Sequence, residues 1–367
     1  MHTRRTVLLL PGQGAQRERM AAGLYGVEPV FTETMDAFFD AYGPERTGLR
    51  ADWLRPAPNP ELDRADTAQP LLFAVGLALG RAVGGWGAEH PGILLGHSAG
   101  ELAAACLAGV FTARDAPALM AARSAALIGA PSGGMLAVAA RPAELSPFTG
   151  ADVTVAAVNG PRQTVLAGPD GPLALVEQRL RDAGVTARRL RSDHAFHSPS
   201  LAAAAQRFGR GLATVRLRPP TTELWSGRTG GPVSAAQAGQ PDFWARQLAL
   251  PVRFWAALGT VLDGAGDGPG LLLLDASPDR SLSAAARRHP VVRSGAALVL
   301  PLLGAPPSAD RDDAAVFAEA RRAALRRQPE QSGPAQPAAV TSSPDTWAMS
   351  AAGVLNSSIS SSVMRTE

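Results

Sequence analysis

The stretch Gly96-His97-Ser98-Ala99-Gly100 follows the apolar run Ile93-Leu94-Leu95 and leads into an alanine-rich helical pattern over residues 101–107. That order predicts a strand, a sharp turn and a helix, with a serine at the apex. Small residues on both sides permit the strained turn that exposes the hydroxyl, and the helix amide ends beneath it favour negative charge. A chain built around such an elbow is drawn towards α/β architecture. The chemistry the elbow supports is acyl transfer through a serine ester.

With 367 residues, 46% hydrophobic and 18% charged, the chain can bury a core large enough for one big α/β domain with an insertion, or for two modest domains. No run approaches the eighteen apolar residues of a membrane span, and the apolar run at residues 7–10 is broken at once by Pro11-Gly12-Gln13-Gly14. No signal peptide is read there, and a cytoplasmic location is expected. The single cysteine, Cys106, falls in the apolar helix after the elbow and reads as a small core residue. All the basic residues are arginine, and the formal charge is +3. Neither a basic stripe with interleaved aromatics nor a recognisable nucleic-acid module occurs, so nucleic acid is not an expected partner.

Short apolar runs at residues 6–10, 93–95, 271–274 and 297–300, bounded by Gly and Pro, alternate with longer helical patterns. That texture predicts strands buried in a mainly parallel sheet. Between residues 131 and 198 it changes: 135–139, 153–158 and 164–167 read as strands and 173–183 as an amphipathic helix. The expected organisation is a large α/β subdomain from residues 1–130 and 199–327, and a small α+β subdomain from 131–198. A tail over 328–367, rich in Pro, Gln, Ser, Ala and Thr, is expected to be disordered, with a docking segment around 347–355 as an alternative.

A serine hydroxyl is a poor nucleophile until a base takes its proton. Among the six histidines, His2 is terminal, His97 lies inside the elbow, and His90 and His289 sit beside prolines at apparent element ends. His194 and His197 lie together in Asp193-His194-Ala195-Phe196-His197-Ser198, where the small subdomain would rejoin the large one and a cleft is expected. On the helix starting near Thr112, Arg123 shares an apolar stripe with Leu119, Met120, Leu127 and Ile128. It reads either as a snorkelling or structurally paired arginine, or as a buried fork for a substrate carboxylate. The turn Pro11-Gly12-Gln13-Gly14-Ala15-Gln16 follows the first strand and leaves backbone amides free at a sheet edge. It lacks the Lys-Ser/Thr ending of a phosphate-binding loop, but it can aim an N–H group at an oxyanion.

In order along the chain, these pieces resemble the malonyl-CoA:acyl carrier protein transacylases and the acyltransferase domains of modular polyketide synthases. The resemblance rests on Pro11 to Gln16, Ala68-Gln69-Pro70, Gly96 to Glu101, Arg123, Ala157 to Pro161 and His194 to Ser198, and spans about residues 6–303. It implies a large α/β-hydrolase-like domain carrying an inserted ferredoxin-like subdomain. It further implies that Ser98 is the acylated nucleophile and His197 its general base, with the Gln13 and Ala99 amides as oxyanion hole. Arg123 would grip the acyl carboxylate, His97, Phe196 and Asn159 would line the substrate site, and the Gln247 main-chain carbonyl would steady the histidine.

No metal and no bound cofactor is implied: the donor is a CoA thioester, malonyl-CoA first, and the acceptor is the phosphopantetheine thiol of an acyl carrier protein. A monomer acting in polyketide or fatty-acid biosynthesis is expected. Arg181, Arg188, Arg189 and Arg191 read either as a face for an acidic carrier or as solvated surface. In the polyketide relatives a His-Ala-Phe-His block accompanies malonyl preference, and the bulk of Phe196 leaves less room for an α-methyl branch. Against this, Ala99, Ser124 and Ser277 depart from the usual residues and reshape the expected pocket. Acyl exchange of an unusual group between carriers, or thioester hydrolysis on a carrier, therefore stand as alternatives.

Overall fold

The computed structural model describes residues 5–42, 48–86, 91–264, 270–305 and 313–325. His90 and the tail read from residue 328, including its segment at 347–355, lie outside the described residues. Ten strands form two sheets: β1 (Arg5–Leu10), β2 (Ile93–Gly96), β3 (Gly134–Val138), β4 (Thr154–Gly160), β5 (Gln163–Gly168), β6 (Ala187–Arg189), β7 (Glu223–Ser226), β8 (Gly231–Pro232), β9 (Leu271–Asp275) and β10 (Ala297–Pro301). The larger sheet runs β10-β9-β1-β2-β7-β8. Its strands are parallel except β8, which turns back on β7.

Val7 to Leu10 in β1 and Leu271 to Asp275 in β9 are buried along both faces, as a parallel strand covered by helices requires. β1 is where the strand order reverses direction, and the crevice beyond its carboxyl end is the expected ligand position in such a sheet. The Pro11–Gln16 turn after β1, the elbow after β2 and the Asp275-Ala-Ser277 turn after β9 all open onto that edge.

The smaller sheet, β4-β5-β3-β6, is antiparallel and draws all four strands from residues 134–189, with the helix Asp170–Asp182 packed on it. This β-β-β-α-β string, with β3 and β5 side by side at the centre, is the strand order of a ferredoxin-like fold. Val252, on the segment after Pro251, bonds to the edge strand β4: its amide donates to the Ala156 carbonyl and its carbonyl accepts from the Val158 amide, each at 2.8 Å.

One sequence expectation needs correction here. The helix carrying Arg123 ends at Leu127, so Ile128 is its cap, turned outward and 73% exposed instead of sharing the buried stripe. The helix Ala65–Gly84 is, by length and composition, apolar enough to cross a membrane, but 89% of its apolar window is buried inside the protein. It is a core helix, held under the larger sheet by residues such as Leu71, Phe73 and Leu77. Cys106 is buried and its thiol is pushed up to about 12 by desolvation, so it behaves as a small apolar residue.

Candidate active site

Ser98 sits between β2 and the helix Gly100–Leu107 with φ 52°, the left-handed backbone that a non-glycine residue adopts only under constraint. The constraint is contact. A side chain at Gly96 would run into the Glu101 backbone, and one at Gly100 into the Leu10 carbonyl, so the turn closes only with glycine at both positions. Gly12 plays the same part from the other loop: a Cβ there would stand 2.6 Å from the His97 carbonyl and 2.8 Å from the Ser98 Cβ.

Ser98 Oγ lies 2.7 Å from His197 Nε2, across ninety-nine residues of sequence. His197 is itself left-handed, φ 62°, and its amide donates to the Leu248 carbonyl at 2.8 Å. Its Nδ1 faces the Leu250 carbonyl at 3.1 Å. A carbonyl only accepts, so Nδ1 carries the proton and the Nε2 lone pair receives the serine hydroxyl. Burial, and then the neighbouring His97, push His197 down to about 3, which leaves the imidazole neutral and able to take a proton.

The expectation that the Gln247 carbonyl holds this ring is corrected in part. The carbonyl within hydrogen-bonding reach belongs to Leu250, because the chain turns between the short helix Arg246–Leu248 and Pro251, while the Gln247 carbonyl adds only a weaker pull. Gln247 acts with its side chain instead: Nε2 donates to the Ser98 carbonyl at 2.7 Å.

Ala99 begins the helix after the elbow and Gln13 follows Gly12 on the loop pressed against it. Neither backbone amide donates to any described residue. Two N–H groups without a partner beside the buried Ser98 hydroxyl are the kind of donor pair that an oxyanion would need.

Arg123 is 1% exposed. Its Nε donates to Gln69 Oε1 at 2.6 Å, and Gln69 Nε2 donates onward to Gln13 Oε1 at 2.7 Å. The terminal nitrogens Nη1 and Nη2 are buried with no hydrogen-bond partner among the described residues, and the guanidinium lies 5.4 Å from the centre of the Phe208 ring. Desolvation lowers its pKa to about 9, against the pull of Glu101. Two buried donors in a planar fork with nothing to bind are costly unless a ligand supplies acceptors. A carboxylate has the matching geometry.

The family described as acyl transferase domain matches residues 7–290. The chain belongs to that family. It is 38% identical over 288 residues to a phenolphthiocerol/phthiocerol polyketide synthase protein of Mycobacterium tuberculosis, an alignment covering 78% of this chain and 19% of that protein. The chain thus corresponds to about a fifth of that curated relative. Among solved structures, the acyltransferase domain from the second module of the salinomycin polyketide synthase superposes with TM-score 0.76 at 35% identity, covering 91% of this chain and 79% of that one. The acyltransferase domain of SpnD, solved in complex with 2-(pent-4-yn-1-yl)malonyl, superposes with TM-score 0.79 at 29% identity, covering 88% and 78%.

Around this acyl transferase domain site, His97 Nε2 donates to Asn159 Oδ1 at 2.8 Å, and burial lowers the pKa of His97. Phe196 is buried in the larger core, its ring 5.7 Å from that of His194 and 6.5 Å from that of His197. Ser124 is buried and lines a cavity of about 190 Å³ with Leu127 and His194. Ser277 is fully buried with its hydroxyl donating to Asp275 Oδ1 at 2.6 Å, so it closes its own turn instead of projecting as a free pocket wall. Among the described residues, no three His, Cys, Asp or Glu side chains gather to hold a metal ion.

Three site residues escaped the sequence reading. Gln69 carried a signal, the Gln-Pro pair opening an apolar helix, but nothing in its local pattern says that it bridges Gln13 and Arg123. Leu250 contributes only a main-chain carbonyl and has no residue-type signal. Glu101, buried behind the elbow, accepts from Ser226 Oγ and from the Arg228 amide at 3.0 Å, and burial pushes its carboxyl up to about 7.

Proposed function

We propose that this domain transfers a carboxylated acyl group, malonyl first, from a CoA thioester to the phosphopantetheine thiol of an acyl carrier protein in the cytoplasm. The observation that carries the reading is the buried, unpartnered Nη1/Nη2 edge of Arg123 beside the Ser98–His197 pair. An esterase or lipase acting on uncharged acyl groups has no use for it. The malonyl derivative held by the SpnD domain is of the same carboxylated class.

In this mechanism Ser98 Oγ attacks the thioester carbonyl while its proton passes to His197 Nε2. The carbonyl oxygen becomes an oxyanion facing the Gln13 and Ala99 amides, an interaction worth about 3–4 kcal/mol per donor in comparable sites. Collapse breaks the C–S bond, and CoA leaves as the thiol with the proton from His197. The acyl-serine ester is then attacked by the carrier thiol, whose proton goes to His197 and returns to Ser98 Oγ as the ester bond breaks. His97 and Asn159 stand against the elbow as substrate-lining groups. Phe196 disfavours an α-methyl branch by about 1–3 kcal/mol, the usual scale for one methyl-sized group.

The test is intact-mass measurement after exposure to malonyl-CoA, methylmalonyl-CoA and acetyl-CoA. A malonyl adduct on the wild-type protein that is absent from Ser98→Ala is expected. No adduct from any of the three would overturn the CoA-donor reading.

A further inference from the structure

Arg181, Arg189 and Arg191 pair at the surface with Glu177 and Asp63. Arg17 is answered differently, by the buried carboxylate of Asp313, the first residue of the helix Asp313–Leu325. Asp313 Oδ1 accepts from Arg17 Nη2 at 2.5 Å and from the Gly304 amide at 2.9 Å, and Oδ2 accepts from the Ala21 amide at 2.9 Å. Arg17 Nε donates onward to the Pro278 carbonyl at 3.2 Å. A carboxylate is costly to bury unless its charge is answered, and here a guanidinium and two main-chain amides answer it.

Arg17 and Ala21 lie on the loop after β1, Pro278 on the loop after β9 and Gly304 after β10, and these strands are neighbours in the order β10-β9-β1. One side chain thus fastens the loops at the carboxyl ends of three adjacent strands, along the edge onto which the Ser98 elbow opens. The loop after β1 is the one that carries Gln13, and it is strained: Arg19 and Ala21 are both left-handed, φ 53° and 60°, without being glycine. Within it, bonds such as Gly14 amide to Gln16 Oε1 at 2.6 Å and Met20 amide to Arg17 carbonyl at 3.2 Å are local. Local bonds shape a turn without placing it against neighbouring strands. Asp313 supplies that placement at the far end of the loop, as the Gly12 contact with the elbow does at the near end. The helix behind it is anchored by buried Val316, Phe317 and Ala320, with the Phe317 ring 4.9 Å from that of Trp86.

We propose that Asp313 is a positioning residue for serine acylation: through Arg17 and Ala21 it holds the loop that presents the Gln13 amide to the oxyanion. The functional acyltransferase unit therefore runs past residue 290, where the family match ends, and through the helix Asp313–Leu325. The proposal rests on the oxyanion role given to Gln13 above. Its effect falls on the bond-forming step shared by every acyl donor, not on recognition of a carboxylate.

The experiment compares Asp313→Ala and Asp313→Asn with the wild-type protein, at a temperature where circular dichroism shows each to be folded. Acylation of Ser98 is followed with malonyl-CoA, acetyl-CoA and p-nitrophenyl acetate, an activated ester that requires neither CoA nor a carboxylate, with Ser98→Ala giving the background. In Asp313→Ala the acylation rate constant is expected to fall about tenfold or more with all three donors, while KM for malonyl-CoA and the malonyl-to-acetyl ratio stay within about threefold. Asp313→Asn, which keeps one acceptor oxygen, should recover part of the lost rate. Should Asp313→Ala fail to fold, Arg17→Met carries the same comparison, since it cuts the link to the loop and leaves both amide bonds of Asp313 in place. Undiminished rate constants in the folded variants, with only the melting temperature lowered, would overturn the proposal. A loss confined to malonyl would overturn it as well, since it would place the effect at Arg123. If no CoA ester acylates the wild-type protein, the CoA-donor function fails, and the p-nitrophenyl acetate comparison still decides the role of Asp313.

Discussion

Ser98 and His197 each hold a left-handed backbone, φ 52° and 62°, and face each other with Oγ and Nε2 2.7 Å apart. Two strained residues meeting at a single hydrogen bond form a site held in place by its surroundings, not by local preference. Beneath Ser98 the restraint is the closeness of Gly12, Gly96 and Gly100. Around His197 it is the Leu248 and Leu250 carbonyls.

Serine acylation should resist acid. With His197 neutral down to about 3, kcat/KM for acylation is expected to stay level between pH 8 and pH 5, where an ordinary imidazole would lose its base function below about 6.5. Rapid-quench mass measurement across that range checks it, and a fall with a midpoint near 6.5 would refute it.

Stability carries two opposing proton linkages. His197 titrates near 6.5 unfolded and about 3 folded, so the unfolded chain binds the extra proton and stability falls as pH drops through that window. Glu101 runs the other way: raised from 4.5 to about 7, its buried acid is lost as pH rises through that range. Glu101→Gln should therefore leave the His197 linkage unopposed, so that the denaturation midpoint rises more steeply with pH between pH 5 and 7 than in wild type. An unchanged slope would exclude the linkage.

Arg123→Met should separate stability from function. Removing a buried guanidinium with two unpartnered nitrogens relieves one cost while leaving Gln69 Oε1 without its donor, so the melting temperature is expected to stay within roughly 4 °C of wild type, about 1 kcal/mol. Malonyl loading should fall much more than acetyl loading. Equal loss of the two would remove the carboxylate role.

Gly12→Ala should displace the loop that carries the Gln13 amide, since the added methyl meets the His97 carbonyl and the Ser98 Cβ. Losing one oxyanion donor costs about 10²–10³ in rate. Acylation should drop by that order while carrier binding is retained, and acylation within threefold of wild type would contradict the assignment.

Gln69→Leu should strand both neighbours, leaving Gln13 Oε1 without its donor and Arg123 Nε without its acceptor. A cost of about 1–3 kcal/mol is expected, with malonyl loading falling alongside. Chemical denaturation and loading assays together test it. A neutral Gln69→Leu would show that the relay does not hold the arginine.

The sequence by itself determined the elbow, because only glycine fits at Gly96 and Gly100. It also determined the mainly parallel sheet, because its strands are buried on both faces and appear as continuous apolar runs. It placed Ser98, His197 and Arg123 in their elements. It did not determine how those elements are wired: Ile128 turning outward at a helix end, Gln69 bridging two residues more than fifty positions away on either side, or Leu250 in place of Gln247 as the carbonyl at Nδ1. Those are contacts between distant segments, set by where loops end and which polar groups are left to pair once the core has closed. The surface arginines follow the same rule. Whether each one is answered by a carboxylate depends on which helices and strands lie beside it, and only the tertiary structure brings those together.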